Sequence, residues 1–282
     1  MKGLLGVPLG SEGSGRTRYA RAMTLYREGR LSEAQLEAYR TAAGSDSEHP
    51  RHEFQRRGLD LPPDPPPTPE AAIRTLVDES DRYLASLAGP GVAEVRTGIA
   101  AWRDGPVHVS ARANPVVRAH LARALRALDA DHPELADSIA RAAPFLDWVT
   151  YDGYAPGTVG AGFQQAHAFA SVIGNASALP AEDFDLGFFL IAPHVLYRDH
   201  RHPAPELYAP LTGPHGWRFG PDRPLTVKPA HVPIWNPSMQ THLTKVGPLP
   251  FLCLYAWVRD VDMPAEIVPA TDWESLEALR LG

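Results

Sequence analysis

Apolar positions recur at intervals of three and four through the first half of the chain, whereas beyond about Gly187 they gather into short runs broken by Pro, Gly and Asp. The first texture predicts helices with one buried face, and the second predicts strands. Two short helices are expected at Ala20 to Glu28 and Ser32 to Ala42, the latter opened by Ser32 and Gln35 at capping-box spacing. Leu61 to Pro69 is too rich in proline to be helical and reads as an extended connector. Beyond it, Ile73, Leu76, Val77, Leu84 and Leu87 mark one amphipathic helix, and Val117, Leu121, Leu125 and Leu128 mark another. A further helix is expected from Pro133 to Phe145, followed by a Gly- and Tyr-rich loop from Tyr151 to Gly162.

The apolar runs Phe188 to Val195, Glu206 to Leu211, Leu225 to Val227 and Phe251 to Val258 are separated by turn residues, as in a small barrel or two-sheet jelly roll. The expected fold class is therefore α+β: a helical N-terminal region followed by a C-terminal jelly-roll-like β-barrel. The expected organisation is a helical extension at 1–60, a connector at 61–69, a helical region packing on the barrel at 70–180, and the barrel with its site at 181–282.

Charge and composition narrow the function. With 27 basic against 33 acidic residues, the net charge of −6 leaves nothing for phosphate neutralisation, so nucleic acid is not an expected partner. Neither is a membrane, because no apolar run approaches the ~20 residues that cross one. The N-terminal stretch is too short and glycine-interrupted for a secretion signal, which points to the cytoplasm. Cys253, the single cysteine, has apolar neighbours and reads as a buried structural thiol. The expected partner is a small-molecule substrate. Oligomeric state stays open, and a homodimer is compatible with everything above.

The informative segment runs from Tyr197 to Gly213. His200 and His202 are two residues apart, as are Glu206 and Tyr208, so on extended chain each pair faces one side. A straight strand would hold His200 and Glu206 about 20 Å apart, so the chain must bend, and Pro203 and Pro205 supply the bend. Two imidazoles and a carboxylate suit one divalent transition metal: Zn, Fe, Mn, Co or Ni, among which the ligand set does not choose. For the fourth ligand His242, just before the strand at Phe251 to Val258, is preferred over the proline-flanked His231. His108, His120, His132, His167 and His215 read as ordinary surface or core histidines.

At these residues the sequence resembles the cupin superfamily, whose first motif is matched from its first histidine onward by His200, His202, Glu206 and Gly213. His194 stands where that motif has a leading glycine, and only His242 represents the second motif. More narrowly, Phe188 to Asp260 resembles the cupin-type dimethylsulfoniopropionate lyases, with Tyr208 two residues after the Glu, Tyr197 three before the first His, and Leu254-Tyr255-Ala-Trp257 after the later histidine. Residues 1 to 60 fall outside that pattern and carry no assignment. The resemblance implies a metal-dependent carbon–sulfur lyase that cleaves dimethylsulfoniopropionate by β-elimination to dimethyl sulfide and acrylate. It implies Tyr208 as the base, Tyr197 as the alternative base, and Trp257 and Tyr255 as aromatic partners for the sulfonium. Two other functions share these motifs: a cupin dioxygenase or isomerase acting on another small carboxylic acid, and a non-catalytic cupin that binds a small molecule.

Overall fold

Ser32 accepts the Gln35 amide at 3.2 Å while the Gln35 side chain accepts the Ser32 amide at 2.9 Å, so the capping box forms as its spacing predicts and opens a helix at Glu33–Ala42. The structure is a computed structural model that describes residues 3–7, 9–62, 67–155 and 157–282. It divides into two units, Met1–Pro67 and Thr68–Gly282. The first holds α1 (Ser14–Arg27), α2 (Glu33–Ala42) and α3 (Pro50–Arg56), with Leu25, Tyr39 and Phe54 in its small core. Helix α1 starts six residues earlier than its apolar pattern suggests. Its cap is remote in sequence, because the Asp46 carboxylate accepts the amides of Gly13 and Gly15. Of the expected connector, residues 63–66 lie outside the described residues.

In the second unit Pro69 occupies the first turn of α4 (Pro69–Ala85), and Thr68 caps it. Helices α5 (Val92–Trp102), α6 (Pro115–Leu128) and α7 (Pro133–Ala142) follow, then the one-turn α8 (Ala161–Gln164). On α6 Leu121 and Leu128 are buried as expected, while Val116 and Ala124 lie deeper than the expected Val117 and Leu125, which are partly buried against the same core. The strands are β1 (His167–Gly174), β2 (Leu179–Pro180), β3 (Asp185–Ile191), β4 (Leu196–Arg201), β5 (Glu206–Pro210), β6 (His215–Arg218), β7 (Thr226–Lys228), β8 (Ile234–Asn236), β9 (His242–Lys245), β10 (Phe251–Trp257) and β11 (Glu266–Ile267), before the final α9 (Trp273–Ala278). No helix among the described residues is long and apolar enough to cross a membrane.

The strands form a six-stranded sheet in the order β2-β1-β3-β10-β5-β8 and a five-stranded sheet in the order β11-β4-β9-β6-β7. The expected α+β class and jelly-roll cupin fold are present, but the closed barrel is replaced by two separately hydrogen-bonded sheets. The strands also begin at His167, ahead of the boundary expected at 181. Ala168 and Ala170 fill the helix-facing positions of β1 and leave it little apolar signal.

Alternation along the strands sorts side chains into two cores. Phe188, Leu190, Leu252, Leu254 and Ala256 of the six-stranded sheet pack with α4 to α7, while Phe189, Phe251, Cys253 and Tyr255 pack with Tyr197 and Trp217 of the other sheet. Covered on both faces, β3 and β10 read as unbroken apolar runs. Cys253 is buried in the inter-sheet core as a free thiol, in line with its structural reading.

Gly187 lets β1 approach β3. A Cβ there would lie 2.3 Å from the Ala170 carbonyl oxygen and 2.9 Å from the Ser171 Cα. Gly187→Ala should therefore destabilise the protein by about 1–3 kcal/mol, roughly 2–4 °C in Tm for each kcal/mol. Gly162→Ala, whose methyl meets open space, should leave the melting curve within about a degree of wild type, and thermal denaturation of the two variants checks the contrast.

Candidate metal centre and substrate cavity

Strand β4 belongs to the five-stranded sheet and β5 to the six-stranded sheet, so the segment His202-Pro203-Ala204-Pro205 carries the chain from one to the other. That crossing is the bend required by the proline spacing. It places His200 on one wall and Glu206 on the other, with His202 between them. In β9, His242 pairs directly across from His200.

A register shift between Tyr197 and His200 does something the spacing alone does not reveal. Residues three apart on a regular strand face opposite sides, yet the shift turns both inward, and the Tyr197 ring stacks on His200 with centroids 3.8 Å apart. Both intervening residues are held on the outer side. Arg198 pairs with Glu277 and lies over the Trp273 ring, while buried Asp199 pairs with Arg218 and accepts the Trp273 indole N–H at 2.8 Å. Helix α9 thus grips the outward half of the irregularity.

The three imidazoles converge with one ring nitrogen each, all within 4.8 Å of one another, and all three residues are buried. In each, Nδ1 donates to a backbone carbonyl: His200 to Arg198 at 2.8 Å, His202 to Ala204 at 2.7 Å and His242 to Gln240 at 2.9 Å. That tautomer leaves every Nε2 with a lone pair aimed at the shared space. Glu206 Oε2 stands 3.2 Å from His202 Nε2 and 3.3 Å from His242 Nε2, and the latter nitrogen has no hydrogen-bond partner. Acceptors facing acceptors in a buried pocket require positive charge among them. A divalent metal fits this donor set.

Electrostatics follow the same geometry. Burial pushes the Glu206 carboxyl upward, but the electropositive setting of His202 and His242 beside it more than offsets this, and its pKa falls well below the usual carboxylate range. Burial, then repulsion from His242 and His202, pushes His200 far down, so its imidazole is neutral. The other Glu206 oxygen accepts the Trp257 indole N–H at 2.8 Å, and Trp257 also stacks on His202 at 4.4 Å.

Beside the imidazoles opens a cavity of about 330 Å³ whose walls include Tyr154, Tyr197, Tyr208, Tyr255, Trp257 and Phe169. Its ionisable lining carries the carboxylates Asp185, Glu206 and Asp262, with no Lys or Arg. Of the residues singled out from the sequence, Tyr197, Glu206, Tyr208, Tyr255 and Trp257 line this one cavity, but several are engaged in unexpected ways. Trp257, expected against substrate, also holds the Glu206 carboxylate. Tyr255 bonds to Ser171 at 3.0 Å and reaches Asp185 at 3.4 Å. Burial, reinforced by Glu206, raises the Tyr208 phenol well above its ordinary pKa, and Tyr197 is raised by burial and by Tyr154 and Tyr208. His231 lies elsewhere, with Nδ1 3.1 Å from the Tyr83 hydroxyl. His167 lines the cavity with both ring nitrogens bonded to backbone, at Phe163 and Tyr151.

Sequence reasoning missed three contributors. Tyr154, in the segment read as loop, bonds to the Tyr197 hydroxyl at 2.5 Å, and the only signal for it was the aromatic density of that loop. Residues 261–265, which line the cavity after β10, carried none. Asp185 was legible by parity, because it alternates with Gly187 and Phe189 on the inward face of β3.

A family model described as dimethylsulfoniopropionate lyase matches residues 88–253. Among solved structures, the chain is similar to crystal structures of the dimethylsulfoniopropionate lyases RdDddP and RnDddQII, at 19% identity over 72% of this chain and 100% of the other, with a TM-score of 0.55. It is also similar to the dimethylsulfoniopropionate lyase DddQ from Ruegeria pomeroyi DSS-3, at 21% identity over 70% of this chain and 96% of the other, with a TM-score of 0.54. At these identities the likeness is one of fold. No curated protein sequence matches the chain.

Elemental analysis of purified variants tests the centre. His200→Ala, His202→Ala, Glu206→Ala and His242→Ala should each lower bound metal, by roughly tenfold or more in affinity. His231→Ala should retain it. The reverse result for His242 and His231 would reassign the ligand.

Proposed function

Because the chain belongs to the dimethylsulfoniopropionate lyase family, we propose that this cavity cleaves dimethylsulfoniopropionate to dimethyl sulfide and acrylate, with Tyr208 as the base. The observation that carries the proposal is the juxtaposition of three convergent imidazoles with an aromatic cavity that contains no cationic side chain. A divalent metal held by His200, His202, His242 and Glu206 would supply a Lewis acid for the substrate carboxylate, whose α-proton is otherwise only weakly acidic.

The chain's own residues account for the rest. Tyr208 sits two residues beyond Glu206 on β5, with its ring 6.0 Å from that of His242, and takes the α-proton on its hydroxyl oxygen. The released electron pair forms the Cα–Cβ double bond as the Cβ–S bond breaks, and neutral dimethyl sulfide departs with the S–C pair. Burial and Glu206 oppose a phenolate, so positive charge at the imidazoles is what favours it. Tyr197, stacked on His200 and hydrogen-bonded to Tyr154, is better placed to orient substrate, and it is the alternative base. The rings of Tyr255 and Trp257 offer π-faces to the sulfonium, which has no hydrogen to donate. The apolar remainder of the lining limits bulk water around the carbanion-like transition state.

Headspace detection of dimethyl sulfide over the purified protein tests the activity. Tyr208→Phe removes the hydroxyl without opening a cavity, so kcat should fall by a factor on the order of 10² to 10⁴ while bound metal and Tm stay near wild type. Tyr197→Phe should cost less. Near wild-type turnover by Tyr208→Phe would remove Tyr208 from the role of base.

A further inference from the structure

Asp185 is a carboxylate placed inside the cavity with no cation to answer it. It opens β3 on the inward face, in register with Trp257 of β10, and its oxygens lie 3.4 and 3.5 Å from the Tyr255 hydroxyl, which also bonds to Ser171. Room for it is kept by Gly174, where a Cβ would stand 3.0 Å from Asp185 Oδ1. Among the described residues no ion pair involves it, and the cavity lining holds no Lys or Arg. The charge that bears on it is Glu206, of the same sign.

A half-buried carboxylate with only neutral donors is electrostatically incomplete, and folding alone gains nothing from keeping it so. The cost is visible, since burial pushes its pKa up to about 6 in spite of hydrogen bonds from Ser171 and Tyr255. A cationic ligand reverses that balance. The neighbouring walls suit a cation that cannot hydrogen-bond, because Phe169, Tyr255 and Trp257 present aromatic surface around the same end of the cavity.

On the premise that this cavity is the substrate site, we infer that Asp185 is the counter-charge for the substrate's onium group and so selects zwitterionic β-onium carboxylates over neutral-tailed acids of the same shape. The carboxylate end of such a substrate faces the imidazoles, and its onium end is set between aromatic faces and Asp185. Selectivity then comes from two opposite charges read at two ends of one cavity, while the aromatic walls fit the methyl groups of either ligand.

The test compares two probes of the same shape, 3-(trimethylammonio)propanoate and 4,4-dimethylpentanoate, which differ in whether the quaternary centre is charged. Calorimetric titration of the full-length protein should give a dissociation constant at least about tenfold lower for the onium. Asp185→Asn, which keeps the shape and a hydrogen-bonding oxygen, should shrink that ratio to within about threefold while bound metal and Tm remain as in wild type. Asp185→Ser serves as a second neutral variant if the first does not fold. A wild-type ratio near one overturns the inference without any variant, as does a ratio that survives in a folded neutral variant. The activity reading fails separately: a tenfold ratio with no release of dimethyl sulfide would sink the lyase assignment and leave cation recognition standing, and release with a ratio near one would do the opposite.

Discussion

Three imidazole nitrogens and a carboxylate oxygen, all acceptors, point at one another in the interior between two sheets, and that arrangement is tolerable only with positive charge among them. Much of the surrounding structure serves to hold it. Carbonyls of Arg198, Ala204 and Gln240 fix the three tautomers, the Trp257 indole fixes one Glu206 oxygen, and the proline-flanked crossing from β4 to β5 brings the two walls together. None of these contacts is strong alone, since a neutral hydrogen bond nets about 1 kcal/mol. Their effect is to leave the donor atoms few alternative positions.

Rigidity at the site also comes from where its strands lie. The six-stranded sheet is buried on both faces, against helices outside and the second sheet inside, so β3, β10 and β5 carry Asp185, Tyr255, Trp257, Glu206 and Tyr208 on a platform with little room to shift. The five-stranded sheet is backed differently. A polar network of Asp199, Arg218, Asp272 and Trp273 spans its outer side, and buried Lys245 donates to the Glu277 carbonyl of α9. One wall is packed by apolar volume and the other by ion pairs.

Elements whose signal is local could be read from the sequence, and those whose cause is remote could not. The capping box at Ser32, the unbroken apolar runs of β3 and β10, and the period-two pairs around Pro203 and Pro205 are local, and each carried through to the structure. The start of α1 depends on Asp46, distant in the chain, and β1 hides behind alanines that face α6. At the site, His200 and His202 were legible from their spacing and His242 from its place before β10, but the Trp257 bond to Glu206 and the Tyr154 bond to Tyr197 join segments that no periodicity links. Asp185 sat on the readable face of its strand and was passed over, because a lone acidic residue before an apolar run resembles an ordinary strand end.

The irregularity in β4 fastens the cavity wall to the C-terminal helix. Tyr197 and His200 share a face only because Arg198 and Asp199 are both accommodated outward; with either one deleted, the tyrosine and the histidine would stand two apart, where regular alternation already turns both inward, so the deletion would cost an outward anchor rather than the tyrosine's place in the cavity. The extra residue therefore serves the outer side of the sheet, where it gives α9 a second handhold without moving the two inward rings.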